Sequence, residues 1–197
     1  MKTIMTIIAM IVATSASSAT ITIEKYTNGD PYILFTGEIL YGIDNAALQT
    51  AIANTPAAKS IAFNSPGGSV YEGWGIAATI RQSQLSTYIP AYNECLSACT
   101  FAFMGGVTRY FSNNGIMGYH PYSYSNYGYG TQHAWYQEGQ RDGVDAVRKF
   151  QAYVPQYYHW PLADFLTTAY KNSNTYIFYY ANSSELASAG IVTHILD

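Results

Sequence analysis

Ser97 stands in the stretch AYNECLSACT (91–100), two residues after Cys95 and two before Cys99. A serine hydroxyl works as a nucleophile when a base lies within hydrogen-bond reach and N–H donors await the oxyanion. Some thirty residues earlier, NSPGGSV (64–70) follows an apolar run and precedes a helical pattern. Its two glycines, Gly67 and Gly68, let backbone approach a ligand closely, and the start of the following helix presents free N–H groups. The amides of Gly68 and Ala98 would be the two oxyanion donors. Of the four histidines, His194 lies in the last strand, His159 at an aromatic helix junction and His133 at the start of a long helix. His120, in GIMGYHPY, ends a strand, where a base can join a shared catalytic edge. Each residue also has a structural reading. Ser97 suits a helix N-cap, the glycine turn can be plain punctuation, and a strand-end histidine can be structural.

Cys95 and Cys99 are the whole thiol inventory. In an oxidising compartment they could close one tight turn as a disulfide, or they could remain two buried free thiols. Two thiolates alone do not make a structural zinc site, which takes four ligands, so neither a metal nor a cofactor is expected.

The elements that would hold these groups alternate. TITIEKY (20–26) and PYILFTGEI (31–39) read as strands around the turn NGD, and 43–55 reads as a helix with Asp44 as its N-cap. SIAFN (60–64) is a short apolar strand ending in the glycine turn, and a helix follows from Ser69. LSTYIP (85–90) is a strand and 98–106 a short buried helix. TRYFS and GIMGYH flank the turn NNG, a hairpin signal. Residues 122–130 read as a Tyr/Ser/Gly loop, 133–154 and 160–171 as helices, TYIFYY as strand-like, SSELASAG as a helix and IVTHIL as a last strand. Strands alternating with helices predict one α/β domain with parallel pairing, whose site forms where the strands' C-terminal ends meet.

The chain of 197 residues opens MKTIMTIIAMIVATSASSAT: a lysine, an apolar run from Ile4 to Ala13, then small residues. That run is too short to span a bilayer, and Ser17 and Ala19 fit a small-x-small cleavage pattern. We therefore place a signal peptide at 1–19, with an uncleaved N-terminal anchor as the rival. The remaining domain, 20–197, would be periplasmic or secreted. Without Lys2 the 9 basic side chains become 8 against 12 acidic ones, a net charge of −4. No basic patch stands out, which argues against a nucleic-acid partner. Only 11% of residues are charged, so solubility rests on polar neutral groups, among them many of the 20 tyrosines.

The ordered trio NSPGGSV, CLSACTFAF and GIMGYHPY, with the ending SSELASAGIVTHIL, resembles the proteolytic subunit of Clp proteases. The resemblance spans roughly residues 30–196 and is nearer to the family's secreted relatives, whose nucleophile is flanked by cysteines. It implies a spiral of β-β-α units, as in the crotonase superfamily, with residues 122–155 as a helical arm that pairs with a neighbour in a homo-oligomer. It implies Ser97 as nucleophile, His120 as general base, and Gly67, Gly68 and Ala98 around the oxyanion. The family's third triad member is an acid before the final helix. The matching window, SNTYIFYYANS, has none; Asn174 is the nearest substitute, and Asp164 lies one helix too early.

Cytosolic relatives are fed by an ATP-driven unfoldase. An exported chain would meet no ATP, so none is expected here, and substrates would be peptides or unfolded segments. The sequence thus points to a secreted serine peptidase. The missing acid keeps a non-catalytic binding or assembly protein as the alternative. An acyl-thioester or sugar-binding protein is a third.

Overall fold

The computed structural model describes residues 17–121, 143–155, 160–174 and 177–197. The expected leader up to residue 16, the loop 122–130 and the first part of the helix expected at 133–154 lie outside these residues.

β1 (Thr20–Lys25) and β2 (Pro31–Thr36) form an antiparallel hairpin. Asp30 accepts through its carbonyl from Tyr26 N–H, and Gly29 takes a φ of +90° in the turn. From β2 onward pairing is parallel. β3 (Ser60–Asn64), β4 (Ser86–Ile89), β6 (Arg109–Ser112) and β9 (His194–Leu196) complete a six-stranded sheet in the order β1-β2-β3-β4-β6-β9. Ser60, Ile61, Ala62 and Phe63 of β3 are all buried, as an interior parallel strand covered on both faces requires.

A second sheet, β5-β7-β8, stands beside the first: β5 (Glu94–Leu96) runs parallel to β7 (Ile116–Tyr119), and β8 (Tyr179–Tyr180) antiparallel to β7. The NNG hairpin is therefore not formed. β6 goes to the large sheet and β7 to the small one, and neighbouring segments take the turn's backbone groups. Asn113 N–H donates to Leu196 O at 2.9 Å, and Asn114 O accepts from Tyr92 N–H at 2.8 Å. β4 and β5 divide between the sheets in the same way. Chain and layer alternate: a strand of the large sheet, a turn, a strand of the small sheet.

Three helices pack in series, the first on the second and the second on the third. They are α1 (Asp44–Asn54), α2 (Val70–Gln82) and α3 (Ala98–Met104). Every residue of α3 is buried, as a helix apolar all round must be. Ser69 caps α2, accepting from Glu72 N–H at 3.3 Å. Asp44 is not an N-cap; it is the first residue of α1, with Ile43 at the cap position. Its fully buried carboxylate turns back to accept from Leu40 N–H at 2.5 Å and Ala19 N–H at 3.2 Å. Further on come α4 (Gly143–Gln151), α5 (Trp160–Lys171) and α6 (Ser183–Ser188), the last opened by a capping box between Asn182 and Glu185. The fold is mixed α/β with a mostly parallel main sheet. Among the described residues no helix is long and apolar enough to cross a membrane.

Candidate active site

The parallel register Leu96↔Gly118 sets the ends of β5 and β7 side by side. Ser97 N–H donates to Gly118 O at 2.9 Å, so the next residues of each strand meet at one edge. There His120 Nε2 and Ser97 Oγ lie 2.7 Å apart. Ser97 occupies the N-cap position of α3, yet its hydroxyl makes no cap hydrogen bond; its carbonyl instead accepts from Thr100 N–H and Oγ1. The N-cap reading of the side chain is thus set aside. Ser97 holds φ +53° and ψ −123°, backbone space that favours glycine and costs a residue with a Cβ about 1–3 kcal/mol. A strained strand-to-helix turn of this kind lifts a hydroxyl clear of the backbone.

The glycine turn is fastened on two sides. Ile39 N–H donates to Gly67 O at 2.7 Å and Ser69 N–H to Ile39 O at 2.8 Å. Across the turn, Ser65 N–H donates to Glu94 O, and Leu96 N–H to Ser65 O. A Cβ on Gly67 would stand 2.8 Å from Ser97 Cβ and 2.9 Å from Ala98 N. Only glycine permits that approach, and Gly67 and Gly68 both have positive φ, +92° and +138°. Among the described residues neither the Gly68 nor the Ala98 N–H is spent on an internal acceptor. The structure thus brings Ser97, His120, Gly67 and Ala98 together, with Gly68 next in the same turn.

Cys95 and Cys99 are joined by a disulfide, both fully buried. The bridge spans the strained turn, tying the middle of β5 to the first turn of α3 with Ser97 between. Among the described residues no cluster of His, Cys, Asp and Glu is arranged to hold a metal.

Asn174 is not brought to the imidazole. It is exposed in the segment after α5, and its Oδ1 accepts from Ile177 N–H at 3.0 Å. Among the described residues His120 Nδ1 is buried with no partner in good hydrogen-bond geometry, although the Pro121 backbone lies close enough to act on the ring. The ring is held by Phe178, whose edge meets it at 4.7 Å between centroids and 66° between planes. No residue type in the sequence marks Phe178 for this place; it follows from β8 pairing with β7. Burial pulls the His120 pKa below the usual histidine value, and the Pro121 backbone offsets part of the fall.

A small recess of about 10 Å³, room for roughly one water molecule, lies against Ser97 and His120, walled by Val70, Phe101, Tyr119 and Tyr170. Tyr119 is fully buried, which pushes its phenol pKa well up; its hydroxyl donates to Met117 Sδ. No carboxylate lines the recess among the described residues.

No protein-family model matches the chain, and no curated protein does. Among solved structures it is similar to 1510-N, a membrane-bound stomatin-specific protease solved as a serine-to-alanine mutant. Identity is 17% and the TM-score 0.51, over 83% of this chain and 77% of that one. At that identity the likeness is one of fold, so the chain shares its α/β architecture with a protease of known structure.

Proposed function

We propose that the protein is an exported serine hydrolase of the peptidase class, built as a Clp-protease-like spiral of β-β-α units. The observation that carries this reading is the 2.7 Å approach of His120 Nε2 to Ser97 Oγ at a strained turn. In the reaction, Ser97 Oγ attacks the substrate carbonyl carbon and its proton passes to His120 Nε2. The oxygen that becomes negative is received by the N–H groups of Gly68 and Ala98. Collapse expels the amine, which takes the proton from His120, and leaves an ester on Ser97. Water, deprotonated by the same nitrogen, then hydrolyses that ester.

Among the described residues no carboxylate meets Nδ1, so the imidazolium formed in each step would lack the stabilisation that a full triad supplies. Such a centre would turn over more slowly than a full triad, and without an ATP-driven unfoldase its substrates would be peptides or unfolded segments; no cofactor is called for. A fold shared with a stomatin-specific protease supports the peptidase class. Pairing of such domains through the segment 122–155 would give the homo-oligomer.

A fluorophosphonate probe tests the reading: the wild type is labelled at Ser97, and neither Ser97→Ala nor His120→Ala is. An unlabelled, folded wild type would overturn it. The bare Nδ1 favours a second reading, a non-catalytic binding protein on the same fold; in that case Ser97→Ala leaves the biological phenotype intact.

A further inference from the structure

Asp44 and Glu72 form a pair of buried carboxylates outside the recess, 0% and 7% exposed. Among the described residues the oxygens of Asp44 accept the N–H groups of Leu40 and Ala19; those of Glu72 accept Gly42 N–H at 2.8 Å and Asn45 N–H at 2.7 Å. Among the described residues neither has a cationic partner. Buried carboxylates without a counter-charge are costly, and native proteins pair them. Burial raises the Asp44 pKa, the Leu40 and Ala19 N–H groups oppose this, and the like charge of Glu72 adds to it.

Ala19 is the residue that meets Asp44. It packs against the hydrophobic core, and its Cα lies 3.5 Å from where a Cβ on Gly37 would stand. It therefore belongs to the folded domain; Ser18 before it is exposed and bridges Glu38 through its backbone, and Ser17 is exposed. Cleavage after Ala19 would discard these contacts. Thr20 could not replace it at Asp44 without leaving its register opposite Thr36. Cleavage one residue earlier also satisfies the small-x-small pattern, with Ala16 and Ser18 at the two small positions.

We propose that the leader is removed between Ser18 and Ala19, and that the α-ammonium of Ala19 is the missing partner of Asp44. Hydrolysis of the Ser18–Ala19 peptide bond by a signal peptidase gives a carboxylate on the leader and an amine on the domain. That amine, protonated at neutral pH, already sits 3.2 Å from the Asp44 carboxylate. The pair also bears on the glycine turn. Asp44 fixes Leu40, and Ile39 beside it exchanges hydrogen bonds with Gly67 and Ser69. This last consequence rests on the hydrolase reading; the ion pair does not.

The test uses the full chain, exported with its leader from a bacterial host. N-terminal sequencing of the product gives Ala19 as first residue; Thr20, or any other residue, overturns the proposal. Acetic anhydride then probes the amine. Pairing that raises the amine pKa by about one unit makes its acetylation about tenfold slower in the folded protein than in the Asp44→Asn variant. Equal rates overturn the pairing. Should Asp44→Asn fail to fold, wild type acetylated at Ala19 serves instead: a lower urea midpoint than the free-amine protein is expected, and an unchanged midpoint counts against the pair. None of these readouts depends on Ser97 reactivity, so a failed hydrolase reading would leave them standing.

Discussion

In the proposed reaction His120 decides what Ser97 can do. Its ring is placed by a hydrogen bond to Oγ on one side and the edge of Phe178 on another, with no charge behind it among the described residues. Burial favours the neutral ring, the form that can take a proton. The rate of fluorophosphonate labelling should therefore follow one titration with its midpoint below the ordinary histidine value of about 6.5. Above the midpoint the rate is flat; below it the rate falls as imidazolium accumulates. Stability carries the same sign. The unfolded chain binds the proton at higher pH than the folded one, so His120's contribution is complete above about pH 6.5. It is lost as pH falls below that value, and the loss levels off once the folded ring also protonates. A labelling midpoint at or above 6.5 would show that the ring is not held neutral. Ser97 and His120 were legible in the sequence because their types and flanks limit what they can be. Phe178 was not, since its role comes from pairing between strands some sixty residues apart. Asn174 was misjudged because its place in the chain said nothing about where its side chain would bond.

The close packing of the glycine turn against Ser97 is a matter of one missing carbon. In Gly67→Ala the new Cβ meets Ser97 Cβ at 2.8 Å and Ala98 N at 2.9 Å, at a φ of +92°. Strain and overpacking each cost about 1–3 kcal/mol, and the turn must move off Ser97 to relieve them. We expect a loss of about 2–6 kcal/mol in urea unfolding, together with a fall of about a hundredfold in labelling, the scale of one lost oxyanion donor. Gly29→Ala is the matched control: its φ is +90°, but a Cβ there meets nothing within 4 Å. It should show the backbone cost alone and leave labelling unchanged. If the two variants behave alike, the packing of the turn against Ser97 has no bearing on the site. NSPGGSV announced this turn in the sequence, because two glycines between a strand and a helix signal a close approach. NNG announced a hairpin with equal local force and was wrong. A turn's residues report its bend, whereas strand partners are chosen by which sheet buries which face, and β6 and β7 found theirs in different sheets.

That division into two sheets leaves the C-terminal segment to be tied down across them, and Arg109 does much of this. It leaves β6 only 7% exposed. Nε donates to Ile191 O at 2.6 Å, and the two terminal nitrogens to Gly106 O at 3.0 Å and Gly190 O at 2.9 Å. The Arg109 backbone meets Thr193 Oγ1 from both its N–H and its carbonyl. One side chain thus joins the end of α3, the end of α6 and the approach to β9. Arg109→Met keeps the apolar stem and leaves the Ile191 and Gly190 carbonyls without that donor, at about 1–3 kcal/mol for each one buried, while Gly106 O keeps Arg81 as a donor at 2.8 Å. We expect a net loss of about 3 kcal/mol or more, with Arg109→Lys between Met and wild type, because a point charge cannot span the fork's three acceptors. The order of opening is the sharper readout. β9 is an edge strand held to β6 over three residue pairs, so amide exchange should speed up first from Thr193 to Leu196, while β3 and β4 exchange only with global unfolding. Exchange that accelerates evenly over the whole sheet would mean that Arg109 supports the core as a block and does not dock its last strand.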